Sequence, residues 1–515
     1  MPSKTVTMKN LYFDSVSLMR ISGEASALPG ISEALVGMGT DLNKELLQGM
    51  GLGDSTVENA LPSDLLIGLV GETEAALEAA LEEVRKILER KGKPGEKGGT
   101  GTRKFASIKQ VAELEEGYNL AVVSVPGIYA ARECRNALES GMHVFLFSDN
   151  VSVEEEVALK DLALQKELLM MGPDCGTAIV GGVPLGFANR VRRGDIGVVA
   201  ASGTGLQHVT TLIDHLGGGI SQAIGTGGRD LSEKVGGRTM IAALRALQDD
   251  PGTKVVVILS KPPSPAVADK VLAVAKSMTK PVVLCLFGKE KMDDLGPVVQ
   301  CFDIERTAVK AVSLSSGKEL SFKNGHLDEA AARASAAARL PKQKYVRGIF
   351  GGGTLCDEAM ITFRRAGIPF RSNIPLAESE RLSDTGRSEG NTFIDMGDDD
   401  FTRGKPHPMI DPSLRNKRIV RDAALPDTLA LLLDFVLGPG SHPDPAGVAL
   451  EAVAEARAAM KGRDVVWLAS VVGTEADPQN YREQIDKLKA AGFIVSESNV
   501  ALASLAASLV GERRN

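Results

Sequence analysis

The strongest constraint on the fold is an internal repeat of strand, glycine-rich turn and helix in the later part of the chain. Four segments keep their order in both copies, and repeated signatures of this kind rarely arise from composition alone. Because alternating strands and helices favour parallel sheets, the repeat predicts two flavodoxin-like domains of similar topology. The four pairs are Asp195–Gln207 with Tyr345–Glu358, Ala223–Glu233 with Phe393–Arg403, Val255–Pro265 with Leu429–Pro445, and Lys280–Glu290 with Arg463–Glu475.

The remaining sequence predicts further α/β layers. A Gly- and Lys-rich stretch, Lys91–Lys104, is typical of a linker or surface loop. We expect five regions: residues 1–104 as a small α/β unit with this linker, 105–192 as a Rossmann-like domain, 193–318 and 345–515 as the two flavodoxin-like domains, and 319–344 as a helical connector. In the first region the pattern predicts a strand at Ser17–Ile21, a helix at Pro29–Leu47, a strand at Leu65–Val70 and a helix at Thr73–Arg90.

Composition excludes several classes of function. The 515 residues are 43% apolar and 24% charged, which is typical of globular α/β proteins. A net charge of −7 without a dense Lys/Arg block argues against nucleic-acid binding. Five scattered cysteines form no C-x-x-C pair, so neither a disulfide framework nor a zinc site is indicated. No signal-like or membrane-spanning pattern is found, and we expect a cytoplasmic protein.

Three glycine-rich turns are interpreted as anion sites, because a helix N-terminus presents unpaired N–H groups and partial positive charge. The alternative is a tight turn that needs glycine only for packing. His442 lies within one turn and could act as a general acid or base, or be an ordinary loop residue. The phosphate-binding candidates are Ser202, Gly203, Thr204 and Gly205 in the first turn, Gly352, Gly353 and Thr354 in the second, and Gly438, Gly440 and Ser441 in the third.

Other loops carry charged or nucleophilic groups. Arg229, in a GGRD turn, could take a substrate carboxylate with two hydrogen bonds. The acidic run Asp398–Asp400 could hold Mg²⁺, but a helix-capping role is favoured and no metal site is assigned. Cys175 and Cys356 have no histidine nearby in sequence, so structural roles are favoured for both.

The motifs resemble those of known ligases. GPDC at Gly172–Cys175, followed by the Ser202 turn, resembles the α subunit of succinyl-CoA synthetase. Asn391–Thr402, Gly438–Asp444 and Val471–Asp477 resemble segments of the β subunit's ligase domain. The resemblance implies that the Gly438 turn faces the Ser202 turn, because the matching helix ends of the synthetase face one phosphoryl group. The fusion of both parts, over roughly residues 105–512, resembles the FdrA family of acyl-CoA-synthetase-like proteins, as do Ile224–Leu231 and Ile349–Met360.

The chain also departs from the synthetases. Their phosphorylated histidine lies in a loop that here reads Phe287–Val299, without histidine, and their supporting glutamate is replaced by Ser260-Lys261-Pro262-Pro263. The N-terminal CoA-binding turn is matched only by Val125, Pro126 and Gly127. The nucleotide-binding domain of the β subunit has no counterpart, so the resemblance does not extend to self-contained thioester synthesis.

The FdrA resemblance implies a subunit of oxamate carbamoyltransferase, which converts oxalurate and phosphate to oxamate and carbamoyl phosphate. Phosphate is then a co-substrate, and His442, Ser202 and Arg229 are the catalytic candidates. The alternatives are an acyl-CoA ligase that binds CoA, and a non-catalytic metabolite-sensing subunit. Expected partners are a small anionic substrate, other subunits of a carbamoyltransferase complex and a second copy of the chain, but neither nucleic acid nor a membrane.

Overall fold

The computed structural model describes residues 2–9, 11, 13, 15–92, 105, 107–114, 117–289, 291–293, 295–403 and 405–514. These residues form two compact units. The first comprises residues 1–116 with 124–126 and 401–406, and the second comprises the rest.

The first unit is built on a three-stranded antiparallel sheet of order β1-β3-β2. Its core includes Leu18, Ile21 and Ala25, which follow helical spacing and pack against the sheet. Its elements are β1 (Ser3–Met8), α1 (Ser15–Ser26), β2 (Ile31–Met38), α2 (Asp41–Gly49), α3 (Ser55–Glu58), β3 (Leu65–Gly71), α4 (Glu74–Gly92) and α5 (Ile108–Leu114).

Two sequence predictions in this unit are wrong. Ser17–Ile21 lies in a helix, because its buried side chains recur with a helical and not a strand period. Pro29–Leu47 is divided into β2 and α2, because the Thr40 side chain accepts the Asn43 N–H and starts a helix only at Asp41. The predictions of β3 and α4 are confirmed. Most of the predicted linker, from residue 93 to 104, lies outside the described residues.

The second unit contains three sheets. Its elements are β4 (Leu120–Val123), α6 (Gly127–Glu139), β5 (His143–Leu146), α7 (Val153–Gln165), β6 (Met170–Met171), β7 (Thr177–Val180), β8 (Val183–Gly186), β9 (Arg193–Ala201), α8 (Gly203–His215), β10 (Ile220–Gly225), α9 (Arg238–Asp249), β11 (Val255–Ser260), α10 (Pro265–Ser277), β12 (Val282–Leu286), β13 (Val298–Gln300), α11 (Ile304–Ser316), α12 (Glu329–Ala337), β14 (Tyr345–Phe350), α13 (Gly353–Arg365), β15 (Arg371–Ser372), β16 (Thr392–Asp395), α14 (Asp399–Thr402), α15 (Ser413–Ala424), β17 (Thr428–Val436), α16 (Pro445–Ala459), β18 (Val466–Val472), α17 (Tyr481–Ala490), β19 (Ile494–Ser496) and α18 (Asn499–Arg514).

The two larger sheets confirm the predicted repeat. One has the order β13-β12-β11-β9-β10-β7-β8, and the other has β15-β16-β14-β17-β18-β19. The run β13-β12-β11-β9-β10 matches β19-β18-β17-β14-β16 strand for strand, and both runs are parallel. In each copy the first strand leads through a glycine turn into a 13-residue helix, α8 or α13. We therefore assign an α/β fold with two flavodoxin-like halves.

The small parallel sheet β4-β5-β6 belongs to the region predicted as Rossmann-like. That region ends earlier than we expected, because β7 and β8 form a hairpin that pairs antiparallel with β10 of the next sheet. Residues 177–186 thus extend the first flavodoxin-like half.

A common core joins the two halves. Helices α8 and α11 of one half and α13 and α18 of the other bury side chains such as Val209, Leu212, Leu355, Met360 and Leu502 in one continuous cluster. The helices that follow the glycine turns are therefore held against each other by apolar contacts that water does not reach. The connector between the halves carries α12, as predicted.

Candidate active site

The N-termini of α8 and α13 face each other at the carboxyl edges of their sheets. Ser202 caps α8, and its Oγ accepts the N–H of Gly205 at 3.1 Å. The same hydroxyl is hydrogen-bonded to Oγ1 of Thr354, the second residue of α13. A methyl group on Gly352 would lie 2.8 Å from the nearest side-chain atom of Thr204, so glycine is needed for this close approach. The structure therefore brings Ser202 and Thr204 together with Gly352 and Thr354.

Both helix ends keep unused hydrogen-bond donors. Within the described part of the chain, no acceptor is found for the main-chain N–H groups of Gly203, Thr204, Gly353 and Thr354. Gly203 is exposed and Gly353 is half-buried, so the ends are reachable from outside. Four free N–H groups on two facing helix ends form an electrostatic environment suited to an anion.

Lys261 adds a fixed positive charge to these ends. It follows β11 directly, and its Nζ lies 3.8 Å from Oδ2 of Asp357 in α13. A methyl group on Gly353 would lie 2.9 Å from the same Nζ. Burial acts to lower the pKa of Lys261, but the carboxyls of Asp357 and Asp395 outweigh it and raise the pKa. The Lys261 side chain remains 42% exposed, so a ligand from solvent can reach its ammonium group.

Asp395 lies beside Lys261 at the end of β16. Its Oδ1 accepts the N–H of Gly397 at 2.9 Å, and a methyl group on Gly353 would clash with its Oδ2. Burial, reinforced by Asp357 and Asp398 against the opposing effect of Lys261, raises the pKa of Asp395 to about 7. A carboxyl group that titrates near neutral pH can both donate and accept a proton under cellular conditions.

Two further titratable groups lie near Lys261 and Asp395. Burial, together with the charges of Asp149 and Asp399, raises the pKa of Asp174 to about 6. Burial lowers the pKa of His407 to about 4, so its imidazole is neutral at pH 7. A methyl group on Gly397 would lie 2.6 Å from Nε2 of His407 and 3.2 Å from Oδ1 of Asp395. Both side chains therefore lie next to Gly397.

Asp434 fixes the turn that precedes α13. Its two carboxylate oxygens accept the N–H groups of Gly351 and Gly352, each at 2.8 Å. Arg415 forms an ion pair with Asp434 at 3.0 Å and also donates to the carbonyl of Ile349. Because this N–H of Gly352 is occupied, the free donors of this turn are those of Gly353 and Thr354.

The turn at Gly438–His442 is arranged differently from our expectation that it faces Ser202. The N–H of Gly438 donates to Oε1 of Gln479, that of Ser441 to the carbonyl of Gly438, and that of His442 to the carbonyl of Met409. Helix α16 starts only at Pro445 and is capped by the carboxylate of Asp444, which disfavours a second anion there. Gly352–Thr354 occupy the position expected for this turn.

His442 and Gly440 have other neighbours in the third turn. Nδ1 of His442 accepts the N–H of Asp444 at 3.0 Å, and Gly440 packs over the ring of Phe187. A methyl group on Gly438 would lie 2.7 Å from the carbonyl oxygen of Phe187. The geometry thus gives this turn a role in packing the two halves together.

Arg229 is held mainly by structural partners. One of its terminal nitrogens lies 3.0 Å from the buried carboxylate of Glu156 and donates to the carbonyl of Val151 at 2.8 Å. Buried Lys160 bonds Asp230 in the same network at 2.8 Å. The guanidinium remains 44% exposed, and its charge opposes the rise in the pKa of Asp174. These contacts occupy one of its nitrogens, so the binding of a substrate carboxylate by Arg229 stays a prediction.

The candidate CoA-binding residues are divided between the two units. Val125 and Pro126 belong to the first unit, whereas Gly127 starts α6 in the second and packs on the main chain of residues 149–150. All five cysteines are buried and free, and burial raises the pKa of Cys175 to about 12, so it is no thiolate nucleophile.

The acidic run near α14 has a capping geometry. Oδ1 of Asp398 accepts the N–H of Asp400 at 3.1 Å. Among the described residues, no group of three or more His, Cys, Asp or Glu side chains is arranged to hold a metal ion. Nor does any helix in the described ranges have the length and apolar character needed to cross a membrane.

Lys261, Asp395, Asp357 and Asp434 were not among the predicted site residues. Lys261 and Asp395 carried a usable signal, because each is a charged residue at the carboxyl end of a buried strand, where ligands of open α/β sheets bind. Asp357 and Asp434 lie inside a helix and a strand, and only the packing of the two halves reveals their position.

Three family models match the chain. A CoA-ligase model matches residues 349–510, and a CoA binding domain model matches residues 191–287. A model described as AllF, heavy metal-associated domain, matches residues 1–104. The CoA-binding match covers the Ser202 turn and overlaps the region predicted as Rossmann-like, 105–192, only at residues 191–192. Residues 1–104 contain neither cysteine nor histidine, the usual ligands of heavy metals.

Similar proteins and structures have been described. The α subunit of an ADP-forming succinate–CoA ligase from Staphylococcus epidermidis is 28% identical over 199 residues, which are 37% of this chain and 63% of that subunit. A dinucleotide-forming acetyl-coenzyme A synthetase of Ca. Korarchaeum cryptofilum, in complex with phosphate and ADP, is 16% identical, with a TM-score of 0.31 over 86% of this chain and 94% of that one. ATP citrate lyase from Methanothrix soehngenii, in complex with citrate and coenzyme A, is 13% identical, with a TM-score of 0.35 over 80% and 85%.

One relative spans the whole chain. The uncharacterised protein YahF of Escherichia coli K12 is 45% identical over 514 residues, which are 99% of each sequence. The chain therefore belongs to the YahF family, and it joins regions that match the CoA binding domain and CoA-ligase models in one polypeptide.

Proposed function

We propose that this chain transfers an acyl group between phosphate and an acceptor, with the phosphate bound between the N-termini of α8 and α13. The observation that carries the proposal is the direct contact of these helix ends through Ser202 and Thr354, with unused N–H donors on both sides. Two helix dipoles and one lysine would neutralise a phosphate dianion without a metal ion.

In this proposal Lys261 binds the phosphate directly, and no phosphohistidine is formed. The synthetases carry a glutamate near this position to support a phosphorylated histidine, and this chain has neither that glutamate nor the histidine loop. A lysine ammonium at the same place binds the phosphate directly as a point charge. We therefore infer that phosphate itself is the nucleophile or leaving group, and that no phosphoenzyme forms.

The first acceptor to consider is the thiol of CoA, because family models for CoA binding and CoA ligation cover both halves of the site. In this reaction a thiolate attacks an acyl phosphate, the carbon–oxygen bond breaks and free phosphate leaves. The preorganised N–H groups would stabilise the negative charge that develops on the phosphate oxygens.

The second candidate is carbamoyl transfer from oxalurate to phosphate, which gives oxamate and carbamoyl phosphate. The absence of histidine from Phe287–Val299 favours it, because phosphorolysis requires no phosphohistidine. In this version the chain works with other subunits of a carbamoyltransferase complex, and oxalurate is its small anionic substrate. A non-catalytic sensor of phosphate compounds would share the binding site but not the turnover.

Calorimetric titration with inorganic phosphate tests the shared element of both candidates. Loss of a charge-assisted hydrogen bond costs about 1.5–3 kcal/mol, so Lys261→Met should weaken phosphate binding by about 10- to 100-fold. Lys254→Met is the matched control, because Lys254 precedes the same strand at its other end and pairs with Asp195 on the surface. The proposal fails if the wild type does not bind phosphate or if both variants bind equally.

Two assays then separate the candidates. One supplies acetyl phosphate with CoA and measures acetyl-CoA, and the other supplies oxalurate with phosphate and measures carbamoyl phosphate, with and without candidate partner subunits. Product in one assay that is lost in Lys261→Met and retained in Lys254→Met identifies the acceptor. Phosphate binding without product in either assay would favour the sensor.

A further inference from the structure

We propose that Asp395 is the proton carrier of the anion site: an anion binds between the helix ends together with a proton on this carboxyl group, which then passes to the leaving group. This inference rests on the proposed function and adds a catalytic residue to it. Neither the sequence motifs nor the family models assign Asp395 a role.

The position of Asp395 is the first argument. Its Oδ1 is fixed by the N–H of Gly397, and its main-chain N–H donates to Oδ1 of Asn373 at 3.0 Å, so the group is rigidly oriented. Its Oδ2 points to Gly353, the first residue of α13, at the place reached also by Nζ of Lys261. An anion on the free N–H of Gly353 would therefore touch the second carboxylate oxygen.

The local charge balance is the second argument. The groups that face Asp395 from the surrounding elements are Lys261 after β11, Cys356 and Asp357 in α13, Asp398 before α14, His407 before α15, and Asp434 in β17. His407 is neutral at pH 7, Cys356 is a buried thiol, and Asp434 is paired with Arg415. Asp357 and Asp395 then share the positive charge of Lys261, whereas Asp398 also interacts with Arg381.

Anion binding makes this imbalance larger. A further negative charge beside Asp395 raises the free energy of its ionised form, since like charges favour the protonated carboxyl. Asp395 already has a pKa of about 7, whereas Asp357 is held by Lys261 and Asp398 caps α14. The proton that accompanies the anion is therefore expected on Asp395.

The chemistry balances with one proton. A phosphate oxygen attacks the acyl carbon and forms a carbon–oxygen bond, and the bond from carbon to the leaving nitrogen or sulfur then breaks. The bonding electron pair stays on that leaving atom, which takes the proton of Asp395. The carboxylate recovers a proton from hydrogen phosphate as the acyl phosphate forms. In the reverse sequence the protonated Asp395 first donates its proton to the departing phosphate and then accepts a proton from the attacking nitrogen or sulfur.

Proton-linked calorimetry tests the proposal with two probes, sulfate and inorganic phosphate. Titrations at pH 8 in buffers of different ionisation enthalpy give the number of protons taken up per anion bound. Sulfate stays fully ionised at this pH, so any proton taken up with it must reside on the protein. We expect about one proton in the wild type and in Asp395→Glu, and about none in Asp395→Asn. While uptake is close to one, sulfate affinity should fall roughly tenfold per pH unit.

Asp398→Asn is the control, because it removes a neighbouring carboxylate that caps a helix and should leave proton uptake unchanged. Uptake that persists in Asp395→Asn, or that occurs with phosphate and not with sulfate, would overturn the role of Asp395. Absence of anion binding in the wild type would instead refute the proposed function. Thermal unfolding of each variant shows whether the fold is intact.

Discussion

Replacement of Asp434 by asparagine should destabilise the second unit more than any exposed substitution. The side chain is 1% exposed and forms an ion pair with Arg415, whose side chain is 7% exposed. It also accepts the N–H groups of Gly351 and Gly352. Asparagine keeps the shape, but it removes the charge and turns one acceptor into a donor that faces another donor.

The size of the effect follows from these contacts. Loss of one partner of a buried ion pair costs about 3–5 kcal/mol, and an unsatisfied buried N–H costs about 1–3 kcal/mol. Since the two losses overlap, we expect about 4–6 kcal/mol. One kcal/mol shifts the melting temperature of a large domain by about 2 °C, which predicts a decrease of about 8–12 °C.

Thermal unfolding followed by calorimetry measures this change, provided that the transition of the second unit is resolved from that of the first. Glu378→Gln is the control, because Glu378 forms an exposed pair with Arg381 that should contribute less than about 1 kcal/mol. A double variant with Arg415→Met should be less destabilised than the sum of its single changes, with a coupling of more than about 1 kcal/mol. Strict additivity, or an Asp434→Asn effect no larger than the control, would refute the reasoning.

Three further predictions concern the same unit. Gly353→Ala should displace Lys261 and Asp395 and weaken phosphate binding by more than about tenfold in calorimetry, whereas Gly325→Ala, with no atoms within 4 Å, should bind normally. The pKa of Asp395 is about 7 in the folded state and ordinarily 3.8, so the free energy of unfolding should fall as pH rises from about 4 to 7. In urea titrations at pH 8, the free energy of unfolding of Asp395→Asn should be higher than that of the wild type by at most about 4 kcal/mol. Burial lowers the pKa of His208 from 6.5 to about 3, so stability should be lost as pH falls below 6.5, and urea midpoints at pH 4.5 and 7.5 should differ less in His208→Gln.

Much of the second unit could be predicted from sequence, because its buried strands are long apolar runs bounded by glycine turns. Val255–Ser260 and Val466–Val472 are fully buried strands of this kind. The order of the repeated motifs then fixed the topology, which the two matching sheets confirm. The secondary structure of the first unit was harder to predict, because Ser15–Ser26 has few apolar residues. Over such a short segment, their spacing fits a strand as well as a helix.

The site was only partly predictable for a different reason. Local sequence indicates that a glycine turn can bind an anion, but it does not say which turns meet. The pairing of Ser202 with Thr354 depends on how two helices pack across the common core. The N–H of Gly438 is occupied by the side chain of Gln479 and that of His442 by the main-chain carbonyl of Met409, and both acceptors lie far away in sequence.

The connector that carries α12 links the two flavodoxin-like halves in one polypeptide. A tether of this length keeps its two ends at an effective concentration of about millimolar, whatever the concentration of the protein. Dilution in the cell therefore cannot separate α8 from α13, and neither half can be produced in excess of the other. The two helix N-termini that form the proposed anion site are therefore synthesised, inherited and degraded as parts of one polypeptide.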